Sequence, residues 1–134
     1  MITTLLATLA ITRTQGLSGT WKYQAFDPKL HLIASGKITL QPELTPQPNM
    51  YTGKKSIKQF ASESKVGPHA SDPQRVSGQL LDGSKVSIDL NSGMKDNNIW
   101  LSGKLTGNSI KGTWGHSTFA GVREKGTFTL IRAK

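Results

Sequence analysis

Residues 100–114 read WLSGKLTGNSIKGTW, a stretch that is nearly its own mirror image about Gly107-Asn108. Folding the chain there sets Leu105 opposite Ile110, Gly103 opposite Gly112 and Leu101 opposite Trp114. Side chains alternate between the two faces of a strand. Those six therefore share one face, and Ser102, Lys104, Lys111 and Thr113 share the other. A Gly-Asn loop suits the primed hairpin turns, with positive φ expected at Gly107 and Asn108 alike. The mirror is what two arms of a hairpin look like when both turn an apolar face inward and a polar face outward. The facing glycines carry two readings, a sharp bend of the sheet and the close approach of a ligand, with the bend first.

The same code recurs along the chain. Leu17, Gly19, Trp21, Tyr23 and Ala25 share a face until Asp27-Pro28 breaks the run. Residues 30–40 read as a hairpin, Leu30 and Leu32 against Ile38 and Leu40, around Ala34-Ser35-Gly36. In a further hairpin Val76, Gly78 and Leu80 face Val86, Ile88 and Leu90. A two-residue turn at Asp82-Gly83 would set Leu80 against Lys85, so the buried face demands a loop of three residues or more. Residues 125–134 are a closing strand. The region of about 41–75 holds five of the six prolines and is polar. It reads as loop around one strand, Tyr51 to Phe60, and is a candidate binding lip. Residues 1–16 read as a strand, with a short helix or a signal remnant as alternatives. Motif spacing is irregular, so there is no solenoid period. The fold expected is all-β: one domain over residues 1–134, an antiparallel up-and-down meander closed into a barrel of eight to ten strands, which removes the exposed edges.

A chain of 134 residues suits one core. It has no cysteine, hence no disulfide and no thiolate chemistry. No apolar run is long enough for a membrane-spanning helix, and a soluble protein is expected, either cytoplasmic or exported with an atypical or removed signal. The net charge is +9. Its lysines alternate with apolar residues, which reads first as a solvated outer face and second as a surface for an anionic polymer. Around Tyr51 and Phe60, Lys54, Lys55 and Lys58 interleave with aromatics as single-stranded nucleic-acid binders do. Trp100 has the outward parity of its strand, which suits an interface.

His31, His69 and His116 lie at no metal-ligand spacing, and the carboxylates fall mostly in or beside turns. There is no nucleophile elbow, and the glycines follow strand logic rather than that of a phosphate cradle. No catalytic residue, metal or cofactor is expected, and the chain reads as a non-enzyme. Trp21, Tyr23, Trp114 and Phe128 fall on apolar faces, as core or as the lining of a ligand cavity. Arg132 ends the apolar face of Phe128 and Leu130, and a buried guanidinium needs a partner. Three are open to it: the ring of Trp21 with nearby carbonyls, the carboxylate of a ligand, or water at a frayed strand end.

Gly19-Thr20-Trp21 at the first clear strand, together with Arg132 on the last, resembles the calycin superfamily: lipocalins, fatty-acid-binding proteins and avidins. In lipocalins a Gly-x-Trp packs beneath a basic residue from the closing strand. The sequence departs from each member. Fatty-acid-binding proteins insert two helices where Asp27-Pro28-Lys29 leads straight to Leu30, and they close with Arg-x-Tyr where this chain has Arg132-Ala-Lys. Avidins place Asn two residues after the Trp, at the position of Tyr23. Lipocalins add a helix after the barrel, whereas this sequence stops at its closing strand. The resemblance implies a cup that holds a small apolar or amphipathic ligand without catalysis, with Trp21, Tyr23, Trp114, Phe128 and Arg132 as its binding residues. The alternative is a basic module that docks on a protein assembly or an anionic polymer through Trp100, Lys54, Lys55 and Lys58. A cofactorless barrel isomerase is the third reading.

Overall fold

The computed structural model describes residues 16–44, 49–60, 69, 75–92, 98–119 and 121–133. They form eight strands: β1 (Gly19–Phe26), β2 (Leu32–Pro42), β3 (Met50–Gln59), β4 (Arg75–Leu81), β5 (Lys85–Asp89), β6 (Asn98–Thr106), β7 (Ser109–Thr118) and β8 (Gly121–Arg132). Each pairs antiparallel with the next, and β8 pairs with β1 to close the barrel. The strand expected before residue 16 lies outside the described residues. β3 lies within the proline-rich region, where the sequence places its one strand.

The mirror stretch pairs as read: Leu105 with Ile110, Gly103 with Gly112, Leu101 with Trp114. So does the hairpin before it, in which Leu80 meets Val86 and Gly78 meets Ile88. Its loop is Asp82-Gly83-Ser84, with φ of 48° and 76° at the first two. Buried side chains decided this register over the shorter turn. The Gly103–Gly112 pair is a close approach, but of the barrel's own side chain. A Cβ on Gly103 would stand 2.9 Å from the Phe128 ring, so the ring lies where no side chain competes.

Two local expectations are overturned. Residues 30–40 are not a hairpin: β2 is a single eleven-residue strand through Gly36. Ala-Ser-Gly satisfies a turn, but equally a crowded crossing, and a Cβ at Gly36 would collide with the Ser56 carbonyl of β3. Leu30 sits instead in the β1–β2 turn at φ 67°. In the β6–β7 turn only Gly107 has positive φ, 61°, and Asn108 does not. That is the type II′ pattern, which needs glycine at the first position alone. Asn108 serves differently: its backbone carbonyl accepts from Arg132 N at 2.8 Å and its side-chain oxygen from Arg132 Nε at 3.1 Å.

The barrel's two ends differ. One carries residues 16–18, the β2–β3, β4–β5 and β6–β7 connections and the end of β8. There Leu17, Trp21, Leu40 and Tyr51 are buried. Trp21 Nε1 donates to the Leu17 carbonyl at 2.9 Å. The Arg132 guanidinium lies over the Trp21 ring, 4.2 Å from its centroid, and donates to the carbonyls of Ser18 and of Gly16, the latter at 2.8 Å. Of the three partners open to Arg132, the tryptophan face and the carbonyls hold it. Gly19, at φ 121°, leaves room for this stack, because a Cβ there would press on Arg132 Nη1 at 3.2 Å. The opposite end carries the β1–β2, β3–β4, β5–β6 and β7–β8 connections, and buries Lys55, His69, Asn91 and His116 beside Ile33, Leu90 and Ile99.

Candidate ligand site at the polar end of the barrel

Alternation along β3 turns Tyr51, Gly53, Lys55 and Ile57 inward and Lys54, Ser56 and Lys58 outward. Lys55 therefore does not join the outer face with Lys54 and Lys58, where the sequence reading put it. It is 4% exposed, inside the wall, and its Nζ donates to Asn91 Oδ1. Its parity with Tyr51 and Ile57 was the signal for this, hidden by the basic residues around it. Asn91 follows β5 and is buried. Its backbone N–H donates to Asn98 Oδ1 at 3.3 Å, and Asn98 Nδ2 donates to Asp89 Oδ1 at 3.3 Å, which fixes the amide from behind.

His69, from the β3–β4 connection, is buried in the same interior. Its Nδ1 shares a hydrogen bond of 2.9 Å with the Tyr23 hydroxyl. Its ring meets Trp114 edge to face at 4.6 Å between centroids, and Tyr23 in turn lies 6.3 Å from Phe128. Burial, reinforced by the charges of Lys55 and His116, pushes the His69 pKa down to about 3. Burial raises the Tyr23 pKa well above its usual value. Near neutral pH the pair is thus a neutral phenol on a neutral imidazole. His116, buried near the end of β7, has Nδ1 3.8 Å from Oε1 of the more exposed Glu124. Trp114 Nε1 donates to the Phe26 carbonyl at 2.9 Å, which holds the indole at the wall.

The structure thus links Phe128, Tyr23, His69 and Trp114 in one run of ring contacts, near enough to Lys55 for its charge to bear on His69, and places Trp21 and Arg132 at the other end, in contact with each other. Trp100 faces outward but lies across its own barrel: a Cβ on Gly115 would collide with its ring, and its Nε1 donates to Ser117 Oγ at 3.1 Å. Sequence reasoning missed His69, Asn91 and His116. His116 shares the parity of Ile110, Gly112 and Trp114, which could have placed it inside. His69 lies in a proline-rich segment with no periodicity to read, and Asn91 has no more than a position just past a strand. Among the described residues no group of three or more His, Asp or Glu could hold a metal ion, and no helix is long and apolar enough to cross a membrane. Chemically the cluster offers an ammonium, an amide and a neutral phenol–imidazole pair beside aromatic rings. Comparison with known proteins brings no match, either to a family model or to a curated protein.

Proposed function

We propose that this chain is a calycin-like, non-catalytic binding protein that takes a small amphipathic acid into the polar half of its barrel. One observation carries the reading: Lys55 is an inward-facing, buried lysine that reaches Asn91, and its charge bears on His69, whose ring meets Tyr23 and Trp114. Burying an ammonium is costly, and a barrel that had only to fold would place a hydrocarbon there. Lys55 and Asn91 receive the acid group, as a charge-assisted hydrogen bond supplemented by an amide. Trp114 and Phe128 flank the apolar body, and the Tyr23–His69 pair offers a neutral polar contact between the two. The stack of Arg132 on Trp21 supports the calycin likeness, and it leaves the guanidinium as part of the closed end rather than a ligand anchor.

The test is selectivity between head groups. Intrinsic tryptophan fluorescence is titrated with a series of medium- and long-chain carboxylic acids and with the corresponding alcohols. Acids should bind more tightly than alcohols, and Lys55→Met should abolish that preference, a loss of about 10- to 100-fold for the acid, as expected of a hydrogen bond to a charged group. Equal affinity for acid and alcohol in the unaltered protein, or no binding of either, would sink the proposal.

A further inference from the structure

The outer wall carries an arrangement of charge that the cup does not use. Strand register sets Lys85 opposite Lys104 and Lys104 opposite Lys111, Lys22 opposite Lys37, and Lys54 opposite Arg75. All seven side chains are exposed. Directly opposed side chains have Cβ atoms about 4.5–5.5 Å apart, and like charges so placed destabilise a sheet. A surface serving solubility alone would intersperse the signs. Here cation meets cation in four register pairs, and among the described residues Lys85, Lys104 and Lys111 have no carboxylate partner.

Two of these pairs line grooves. One groove, of about 630 Å³, is lined by Lys85 and Lys104 with the hydroxyls of Ser84, Ser87 and Ser102. The other, of about 720 Å³, is lined by Lys54 and Arg75 with Thr39, Gln41 and Thr52. Each therefore combines an opposed cation pair with neutral hydrogen-bonding groups, and among the described residues neither has an aromatic lining residue. From the first groove the lysine row continues through Lys111, Thr129, Gln24 and Ser35 to Lys58, winding round the barrel without meeting an acid.

We propose that the Lys85–Lys104 and Lys54–Arg75 grooves are binding sites for a flexible anionic polysaccharide that lies along the outer wall. The cations offset its acid groups, and in doing so relieve their own repulsion. The serine and threonine hydroxyls and Gln41 match the hydroxyls of a sugar chain. Single-stranded nucleic acid is the poorer fit, because no ring in either groove can stack a base. Duplex DNA, with a persistence length of about 50 nm, and a lipid bilayer are too flat or too stiff to follow a curved wall.

The experiment uses heparin fragments as the probe, on the full chain, with affinity measured between about 50 and 200 mM salt. Two triple variants of equal charge are compared. One, within the grooves, is Lys54→Gln/Lys85→Gln/Lys104→Gln; the control, Lys29→Gln/Lys37→Gln/Lys125→Gln, removes three charges outside them. The groove variant should lose at least about tenfold in affinity at low salt, and its log–log salt slope should fall by about 2, for three fewer ions released. The control should lose much less. The groove variant should also melt at or above the unaltered protein, so lost binding is not lost folding. Equal losses in both variants, or no retention of the unaltered protein at low salt, would overturn the proposal. So would tighter binding of single-stranded DNA or of anionic vesicles of phosphatidylserine and phosphatidylcholine than of heparin. The proposal does not depend on the cup, and acid binding by Lys55 should survive in both variants.

Discussion

The two ends of the barrel each hold a cation, and they do it in opposite ways. At the closed end Arg132 is enclosed by its own chain: the Trp21 face, the carbonyls of Gly16 and Ser18, and the Asn108 side chain use its planar fork. Partial burial lowers its pKa, yet a guanidinium stays charged in proteins, so the arrangement is a permanent clasp between the ends of the described barrel. At the polar end Lys55 reaches a neutral amide, and its charge helps keep the His69 imidazole unprotonated. A lysine is a compact point charge with three donors and lacks the guanidinium's planar fork. The contrast is between a forked cation clasped by an aromatic face and backbone carbonyls and a point charge set among neutral polar groups.

Removing the closed end's central ring should show the larger effect. Trp21→Ala deletes a fully buried indole, its bond to Leu17 and the platform for Arg132. The expected loss is about 3–5 kcal/mol of stability, read from chemical denaturation. A loss below about 1 kcal/mol would mean that the end is held from elsewhere and that the clasp is incidental.

The polar end should reveal itself through pH. His69 titrates near 6.5 when unfolded and at about 3 when folded. Its neutral form is therefore the one the fold prefers. That contribution is complete above pH 6.5 and is lost as pH falls toward 3, because the unfolded chain takes up the proton first. Between pH 7 and 4.5 the loss should be on the order of 2–3 kcal/mol. His69→Phe should flatten the profile across this window, which lies mostly above the carboxylate range. An unchanged profile in that variant would place the pH dependence elsewhere.

The closed end was far more legible in the sequence than the polar end. Gly19, Trp21 and Arg132 stand at fixed positions on strands of clear alternation, and pairing rules carry them to one place. The mirror hairpin was readable to the residue because a one-residue slip would expose every apolar side chain on it. The polar cluster has no such code. His69 and Asn91 come from connections, where neither period nor pairing constrains a side chain. Lys55 follows the strand code, but its charge argued against it. Gly36 shows the limit of punctuation: glycine marks a turn or a crowded crossing, and only the neighbouring strand decides which.

Arg132→Met tests the clasp with less damage. It retains apolar contact with Trp21 but loses the cation–π contact and the donors to Gly16, Ser18 and Asn108. These carbonyls lie near the barrel's end and can turn to water, so the expected loss is about 1–3 kcal/mol. Trp21 emission should shift. Binding of acids at the polar end should persist, since the two ends share no side chain. Loss of acid binding at unchanged stability would instead make Arg132 the anchor and reverse the assignment of the two ends.

The smallest effect on stability is expected where burial is just as complete. Lys55→Met/Asn91→Leu replaces a buried ammonium and its amide acceptor by hydrocarbon of similar length. Removing one partner alone would cost the other its bond, at about 1–3 kcal/mol, whereas removing both avoids that penalty. The ammonium's desolvation cost disappears, and side chains of comparable volume refill the space. Stability should change by less than about 1 kcal/mol in either direction. Acid binding should vanish in the same protein. A barrel that needed this cluster to fold would instead lose about 2 kcal/mol or more, as other disrupted buried networks do. Calorimetric melting and acid titration of this one double variant therefore distinguish a polar end kept for a ligand from one kept for the fold.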